Sequence, residues 1–581
     1  MARWRRSSAI TVSKFLCAAI IIAFYLLYTA FHRPAPSPRK LPLPKRPSIQ
    51  LESWKNGTGR ADEDRREEVR RAMQHTFWGY RKRAWGHDDL KPVSGGFQDT
   101  RNGWGAFIVD SSTTLALMGL WDELDLALDF IVNDVDFSSP KGLVDPFETT
   151  IRYLGALVSL VDLADARIIP PSIFGLSRRS ALIHKATVLG TSLLPAYDSP
   201  TGLPWPRVNF TTKQGEADPP EVYELDPSKP RRKNPAIGPA RAGSSILENC
   251  VLSRLTGNQQ FCKSASLAWA PLIWSKFFVK DAPGLVDSPV DIVTGEPVGR
   301  DKQWDAGHDS YYEYLLKASL LLSGTPEAKT YTERWTQAAS ALRHNLSSRA
   351  SASEHELESH LYAGKLHGPW FVNEMSHLAC FAPGNVLLGA RALKRPDLVP
   401  LGLALLDGCR HVYAASPLGI GPESWSWIPS GGQRAGAFEP KSQRAKDELA
   451  QHGFWTAKAY YKLRPEYVES LFYAWRITGQ SRYREWAWEA FQAWERWCRT
   501  ELGYAGVQDV MAKEGEVRLD DEAESFWAAE TLKYAFLIFE DVKVASLDDW
   551  IFSTEGHLFW RGAGRKGKNS KDKTREKERE V

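Results

Sequence analysis

This 581-residue chain lacks an excess of charge of either sign. Its 74 lysines and arginines face 70 aspartates and glutamates, leaving a formal net charge of +4. Much of that excess lies in the two tails, so nothing argues for nucleic acid as a partner. Strict apolar/polar alternation is also scarce, which turns the reading away from β architectures. No convincing small-residue cleavage motif follows the one long apolar run, residues 9–31, so it reads as an anchor and not as a cleaved signal peptide. The uncharged part, Phe15 to Phe31, matches the roughly 17–25 residues needed to cross a thin bilayer. It reads as one transmembrane signal anchor behind a cytosolic tail, residues 1–8. Arg33, Arg39 and Lys40 follow it, so the positive-inside signal is weak.

What the chain does contain is apolar and aromatic. Hydrophobic residues make up 43%, with 23 Trp and 19 Tyr, enough for a sizeable core in which most of these rings belong. Residues 32–61 form a proline-rich stem, extended and stiff. The folded domain is expected over residues 62–560, followed by a disordered charged tail, 561–581. The sequons Asn56-Gly-Thr58, Asn209-Phe-Thr211 and Asn345-Leu-Ser347 favour a luminal domain. Helical periodicity runs through residues 470–477, 483–502 and 523–540, separated elsewhere by Gly/Pro/Asp-rich connections. The polar, irregular segment 215–243 reads as a surface insertion.

Several acidic residues sit inside this apolar pattern. Pro465 suits the first position of a helix, and Glu466 and Glu469 then lie three apart on one face, with Arg464 at the mouth. Glu148 and Arg152 are four apart on another helix. Asp309 opens a helix with Glu313 one turn on, and Glu524 and Glu530 bracket Phe526 and Trp527. Phe552-Ser-Thr-Glu-Gly-His557 closes the domain. Taken singly, each reads equally as a cap or a surface ion pair. Acids repeated in apolar helices are costly to bury without partners, so together they point to a shared polar pocket. The chemistry that needs paired carboxylates is above all glycoside hydrolysis.

Ordered blocks along the chain resemble the class I α-1,2-mannosidases, glycoside hydrolase family 47. They are Tyr80 to Pro92, Phe147 to Arg152, Leu194-Pro195 with Pro200-Thr201-Gly202, Leu252 to Gly257, Asp309 to Lys317, His377 to Phe381, Leu463 to Ser470, Ser525 to Tyr534 and Thr554-Glu555. The Trp85-Gly-His-Asp block is most similar to the endoplasmic-reticulum branch. The resemblance implies an all-α fold, an (α/α)7 barrel plugged by a C-terminal β-hairpin. It implies a Ca²⁺ ion held by Thr554 and by waters, since oxygen ligands suit a hard cation. It implies inversion, with carboxylates roughly 6.5–9.5 Å apart to admit a water. By the same resemblance Glu148 lies on the acid side, and Glu466 is the base, with Asp309 the competing assignment. Arg152, Arg464, Glu469, Phe526, Glu530, Glu555 and His377 are the expected substrate contacts, and Cys380 and Cys409 the expected disulfide.

The implied function is calcium-dependent trimming of terminal α-1,2-mannose from high-mannose N-glycans, at an endoplasmic-reticulum or Golgi membrane, with the catalytic domain luminal. A mannose-binding, lectin-like homologue without turnover is the alternative. Of the remaining cysteines, Cys17 lies in the apolar run. Cys250, Cys262 and Cys498 are odd in number, so at least one is free or pairs outside the chain, as with a redox partner, and Cys250–Cys262 is a pairing left open. Three positions depart from the family pattern. Thr113 stands in place of the second acid of an Asp-Ser-Leu-Asp-Thr-Leu block, and this bears on rate. Arg241 replaces an acid and Gly307 replaces the arginine of the endoplasmic-reticulum type, and both bear on branch specificity.

Overall fold

The computed structural model describes residues 48–57, 59–218, 234–274, 283–351, 359–430 and 439–562. Helices dominate them, and they differ in how much of their surface is apolar. Seven have little or no polar face: α2 (Ala106–Met118), α4 (Gly155–Asp165), α6 (Ile246–Thr256), α8 (Asp309–Leu321), α10 (Phe381–Ala392), α12 (Glu466–Thr478) and α14 (Leu532–Phe539). Every residue of α2 and of α14 is buried, as a helix covered on all sides requires. Each touches the next, and α14 touches α2, so the seven close into a ring.

Seven more are amphipathic: α1 (Glu63–Ala84), α3 (Trp121–Asn133), α5 (Leu176–Leu193), α7 (Gln260–Leu267), α9 (Pro326–Ala341), α11 (Val399–Ala415) and α13 (Arg482–Trp497). Each packs on the ring helix that precedes it, α3 on α2, α5 on α4, and so on around to α1 on α14, and α5, α11 and α13 also touch the next ring helix. On α13 the buried set is Tyr483, Ala487, Ala490, Phe491, Ala493 and Trp494, a single stripe at helical spacing. Local chemistry starts these helices. Asp62 caps α1 through the Arg65 N–H, and Thr325 caps α9 through the Ala328 N–H, with Pro326 at the first position.

Strands fill the connections. β1 (Ala236–Ile237), β2 (Ser288–Asp291), β3 (Pro297–Lys302), β4 (Lys365–His367) and β5 (Trp370–Val372) form one antiparallel sheet in chain order. β6 (Glu374–Ser376), β7 (Ser424–Trp427) and β8 (Phe454–Lys458) form a second. The last hairpin, β9 (Trp550–Phe552) and β10 (Leu558–Trp560), pairs Ile551 with Phe559 and touches α8 and α4 from within the ring. The Ser159 hydroxyl on α4 donates to the Leu558 carbonyl at 2.8 Å, and Asp162 accepts from the Trp560 N–H at 2.9 Å.

Several boundaries differ from the sequence reading. The folded unit begins at Ser48, not near Asp62. Asp548 accepts from the Ile49 and Gln50 N–H groups, and Trp54 donates to the Arg476 carbonyl, so the end of the proline-rich stretch is tied to the domain. At the other end Arg561 is buried and donates to the Leu547 carbonyl at 2.9 Å, one residue past the expected limit. Segment 215–243 is not irregular throughout. Gln214–Glu216 pairs with Arg207–Asn209, and Pro239–Gly243 is a short helix. The periodicity of 483–502 overruns α13, because Arg499–Thr500 turns back to pair with Gly503–Tyr504. The expected anchor, residues 9–31, and the tail beyond Gly562 lie outside the described residues. Among those described, no helix is long and apolar enough to cross a membrane. Cys380–Cys409 and Cys250–Cys262 are disulfides, and Cys498 is a buried thiol.

Candidate active site

The expected residues converge on the end of the ring where the turn 553–557 arrives, and arginines organise one side of it. The short helix Pro146–Thr149 is capped by Asp145, whose Oδ1 accepts from the Phe147 and Glu148 N–H groups. Glu148 opens on a cavity of about 330 Å³ that Arg101, Asp145 and Arg207 also line. Arg152, one turn on, donates to Glu148 Oε2 at 2.8 Å, to Ser525 at 3.1 Å and to Asp110 at 3.3 Å, and it pairs with Glu555. Arg101 Nε lies 3.7 Å from Glu148, and its Nη2 donates to Glu524 at 2.7 Å. Burial pushes the Glu148 carboxyl up, but Arg152 and Arg101 outweigh it and hold Glu148 below the usual glutamate range.

Phe526 joins the two sides: the guanidinium carbons of Arg152 and Arg464 each lie 5.9 Å from its ring centre. Arg464 forks onto Glu423 with bonds of 2.6 and 2.7 Å, a rigid bidentate pair. Two residues on, Glu466 Oε2 meets His377 Nδ1 at 2.7 Å, and His377 Nε2 meets the Tyr413 hydroxyl at 2.7 Å. Burial raises the Glu466 carboxyl, yet the His377 contact and the Arg464 charge bring it below its ordinary value. Asp309, at the start of α8, goes the other way. Burial pushes it up to about 7, the Ser310 N–H opposes this in part, and Asp305, Glu313 and Glu466 add to it. The neighbouring acids follow Asp309. Burial and mutual repulsion raise Glu469, Glu530 and Glu555 well above the carboxylate range, although Lys317 offsets the first and Arg152 the last.

Thr554 lies in the β9–β10 turn. Its N–H donates to the Tyr314 hydroxyl at 3.1 Å, which in turn donates to Glu248 at 2.5 Å. Among the described residues no three His, Cys, Asp or Glu side chains stand close enough to hold a metal directly. A cation here would therefore draw on the Thr554 oxygens and on waters oriented by the carboxylates. An all-oxygen set beside under-compensated acids fits a hard divalent ion.

The departures have structural answers. The Thr113 hydroxyl accepts from Lys533 and lies 3.0 Å from His557 Nδ1, deep beneath the site. Arg241 donates to Asp145 and to Asp218, each at 2.8 Å, so it braces the cap of the Glu148 helix. Gly307 has φ +87°, and a Cβ there would meet no atom within 4 Å, so the space beside Asp309 is open.

The sequence signature of glycosyl hydrolase family 47 matches residues 72–561. The chain belongs to that family. This family 47 chain is 36% identical over 500 residues to the probable mannosyl-oligosaccharide α-1,2-mannosidase 1B of Aspergillus clavatus, covering 84% of this chain and 91% of the relative. It is 35% identical over 503 residues to the mannosyl-oligosaccharide α-1,2-mannosidase 1B of Emericella nidulans, covering 86% and 93%. Among solved structures, the α-1,2-mannosidase from Trichoderma reesei superposes with a TM-score of 0.78 at 32% identity, over 87% of this chain and all of that one.

Some site residues escaped the sequence reading. Arg101, Glu423 and Tyr413 lie far from any acidic block and carry no local signal. Asp110, His557 and Lys533 sit inside blocks that drew notice for their neighbours. Burial separates them: all three are fully covered, and helical spacing alone does not reveal burial.

Proposed function

We propose that this family 47 chain is a calcium-dependent, inverting exo-α-1,2-mannosidase that removes terminal mannose from high-mannose N-glycans in the secretory pathway. The relatives are named mannosyl-oligosaccharide α-1,2-mannosidases, and the closed ring of seven helix pairs with the inserted hairpin supports the (α/α)7 barrel. The observation that carries the reading is the opposite surroundings of two carboxyls: Glu466 meets His377 Nδ1 at 2.7 Å beside Arg464, whereas Asp309 is buried among Asp305, Glu313 and Glu466. Glu466, kept ionised by His377 and Arg464, suits a base that takes a proton from the attacking water. Asp309, protonated up to about pH 7, suits the stored proton that the departing sugar oxygen must receive. Glu148, expected on the acid side, is ionised in the substrate-free protein, so we assign it the orientation of the leaving side together with Arg152. Asp309, expected as the competing base, becomes the proton carrier.

Phe526 between two guanidinium groups offers an apolar face to a pyranose ring, while Arg152, Arg464, Glu530 and Glu555 supply hydrogen bonds to its hydroxyls. Ca²⁺ bound through Thr554 would hold sugar hydroxyls and a water in the pocket. The two disulfides suit an oxidising lumen, in keeping with a membrane-anchored, luminal enzyme.

The test is incubation of the chain with a high-mannose N-glycan, with calcium or with chelator, following free mannose and its anomer by NMR. Calcium-dependent release of β-mannose is expected. α-Mannose would refute inversion, release undiminished by chelator would refute the calcium requirement, and binding without release would make the chain a lectin.

A further inference from the structure

The loop between β3 and α8 carries a second carboxylate one turn ahead of Asp309. Asp305 is 2% exposed, and both of its carboxylate oxygens are engaged. Oδ1 accepts from the Ala306 N–H at 2.7 Å and from the Ser376 hydroxyl; Oδ2 accepts from the Ser376 N–H at 2.9 Å and lies 3.2 Å from Lys365 Nζ. The Asp305 carbonyl accepts from the His308 N–H at 3.0 Å and the Asp309 N–H at 3.1 Å. One residue thus closes the turn that opens α8 and fastens that turn to the end of β6. The residue after Ser376 is His377, the partner of Glu466. A carboxylate is unfavourable to bury unless every lone pair is used, and here the partners come from the Asp309 loop, from β4 and from the segment that carries His377, the partner of Glu466.

We propose that Asp305 is a positioning residue: its carboxylate bridges the Asp309 turn to Ser376 and, through His377, sets the spacing and charge balance of Asp309 and Glu466. This rests on the functional reading above and goes beyond it, since Asp305 itself touches no reacting atom. The carboxylates that act on Asp309 are Asp305 from its own loop, Glu313 from its own helix and Glu466 from α12, with the Ser310 N–H opposing them. Lys365, from β4, neutralises part of the Asp305 charge and also reaches Glu374 at 3.2 Å.

The sign of the effect follows. Asp305→Asn removes an anion that favours the Asp309 proton, so the alkaline limb of kcat/KM moves to lower pH, by roughly half a pH unit or more. Lys365→Met removes the cation that masks Asp305, so the same limb moves to higher pH. Asp305→Asn also lowers kcat by roughly ten- to a hundredfold through misplacement, with KM changing less. The experiment measures the pH dependence of mannose release by the full wild-type chain and by both variants. Opposite displacement of the two limbs is the expected result. Unmoved limbs, or limbs moving together, would overturn the proposal while wild-type release leaves the functional reading intact. No release by the wild-type chain would overturn both. Should Asp305→Asn not fold, the direction of the Lys365→Met limb decides alone.

Discussion

Glu466 and Glu469 stand one turn apart on the same helix, both buried, and the structure treats them in opposite ways. Glu466 faces His377 and Arg464 and is held below its ordinary pKa. Glu469 faces Glu313 and Glu466, with Lys317 3.9 Å away and the Tyr534 hydroxyl at 3.5 Å, and is raised well above it. The same contrast separates the whole site. Around Glu148 lie Arg101 and Arg152; around Asp309 lie Asp305, Glu313 and Glu466. Residue type sets the chemistry available, and the sign of the surrounding charge decides which carboxyl gives a proton and which takes one.

The contrast is broken most directly at its ionised member. Glu466→Gln keeps the size of the side chain and removes the base, so kcat should fall by roughly 10²–10⁴-fold while glycan binding survives. Turnover within a few-fold of wild type would remove Glu466 from the base role. Arg152→Met attacks the cationic side. It leaves the ionised Asp110 and Glu148 without the counter-charge they share, and removing one partner of a buried ion pair costs roughly 3–5 kcal/mol. Chemical denaturation reads this, and a loss below 1 kcal/mol would show that these acids find other partners.

Thr113 sharpens the comparison with the smallest change. Its hydroxyl is one of two groups that receive Lys533, the other being the Gly556 carbonyl at 2.7 Å. Thr113→Val should therefore cost about 1–3 kcal/mol, and Thr113→Ser should restore most of it. Equal stability of the Val and Ser variants would assign Thr113 to packing alone.

Much of the site was legible at the level of spacing. Glu148 and Arg152, four apart, do form a helix-face ion pair, and Pro465 does stand immediately ahead of α12. The block around His377 pointed to a substrate contact; the structure makes His377 the partner of Glu466, because its ring is enclosed between Glu466 and Tyr413 and is 1% exposed. The ends of the folded unit differ from what composition suggests for a related reason. Ser48 to Leu51 looks like more of the stem by composition, and only contacts with Asp548 and Arg476, far along the chain, make it part of the domain.

By itself the sequence determined the helical class, the faces on which the acids fall, the family and, through it, the Cys380–Cys409 pair, because helical period, capping and ordered motifs are properties of neighbouring residues. Tertiary structure decided that Cys250 pairs with Cys262 and that Cys498 stays a thiol, how Thr113 and Arg241 are accommodated, and which acids are ionised. Those outcomes depend on burial and on partners from other segments, 420 residues away for Thr113 and Lys533, and a local pattern contains neither.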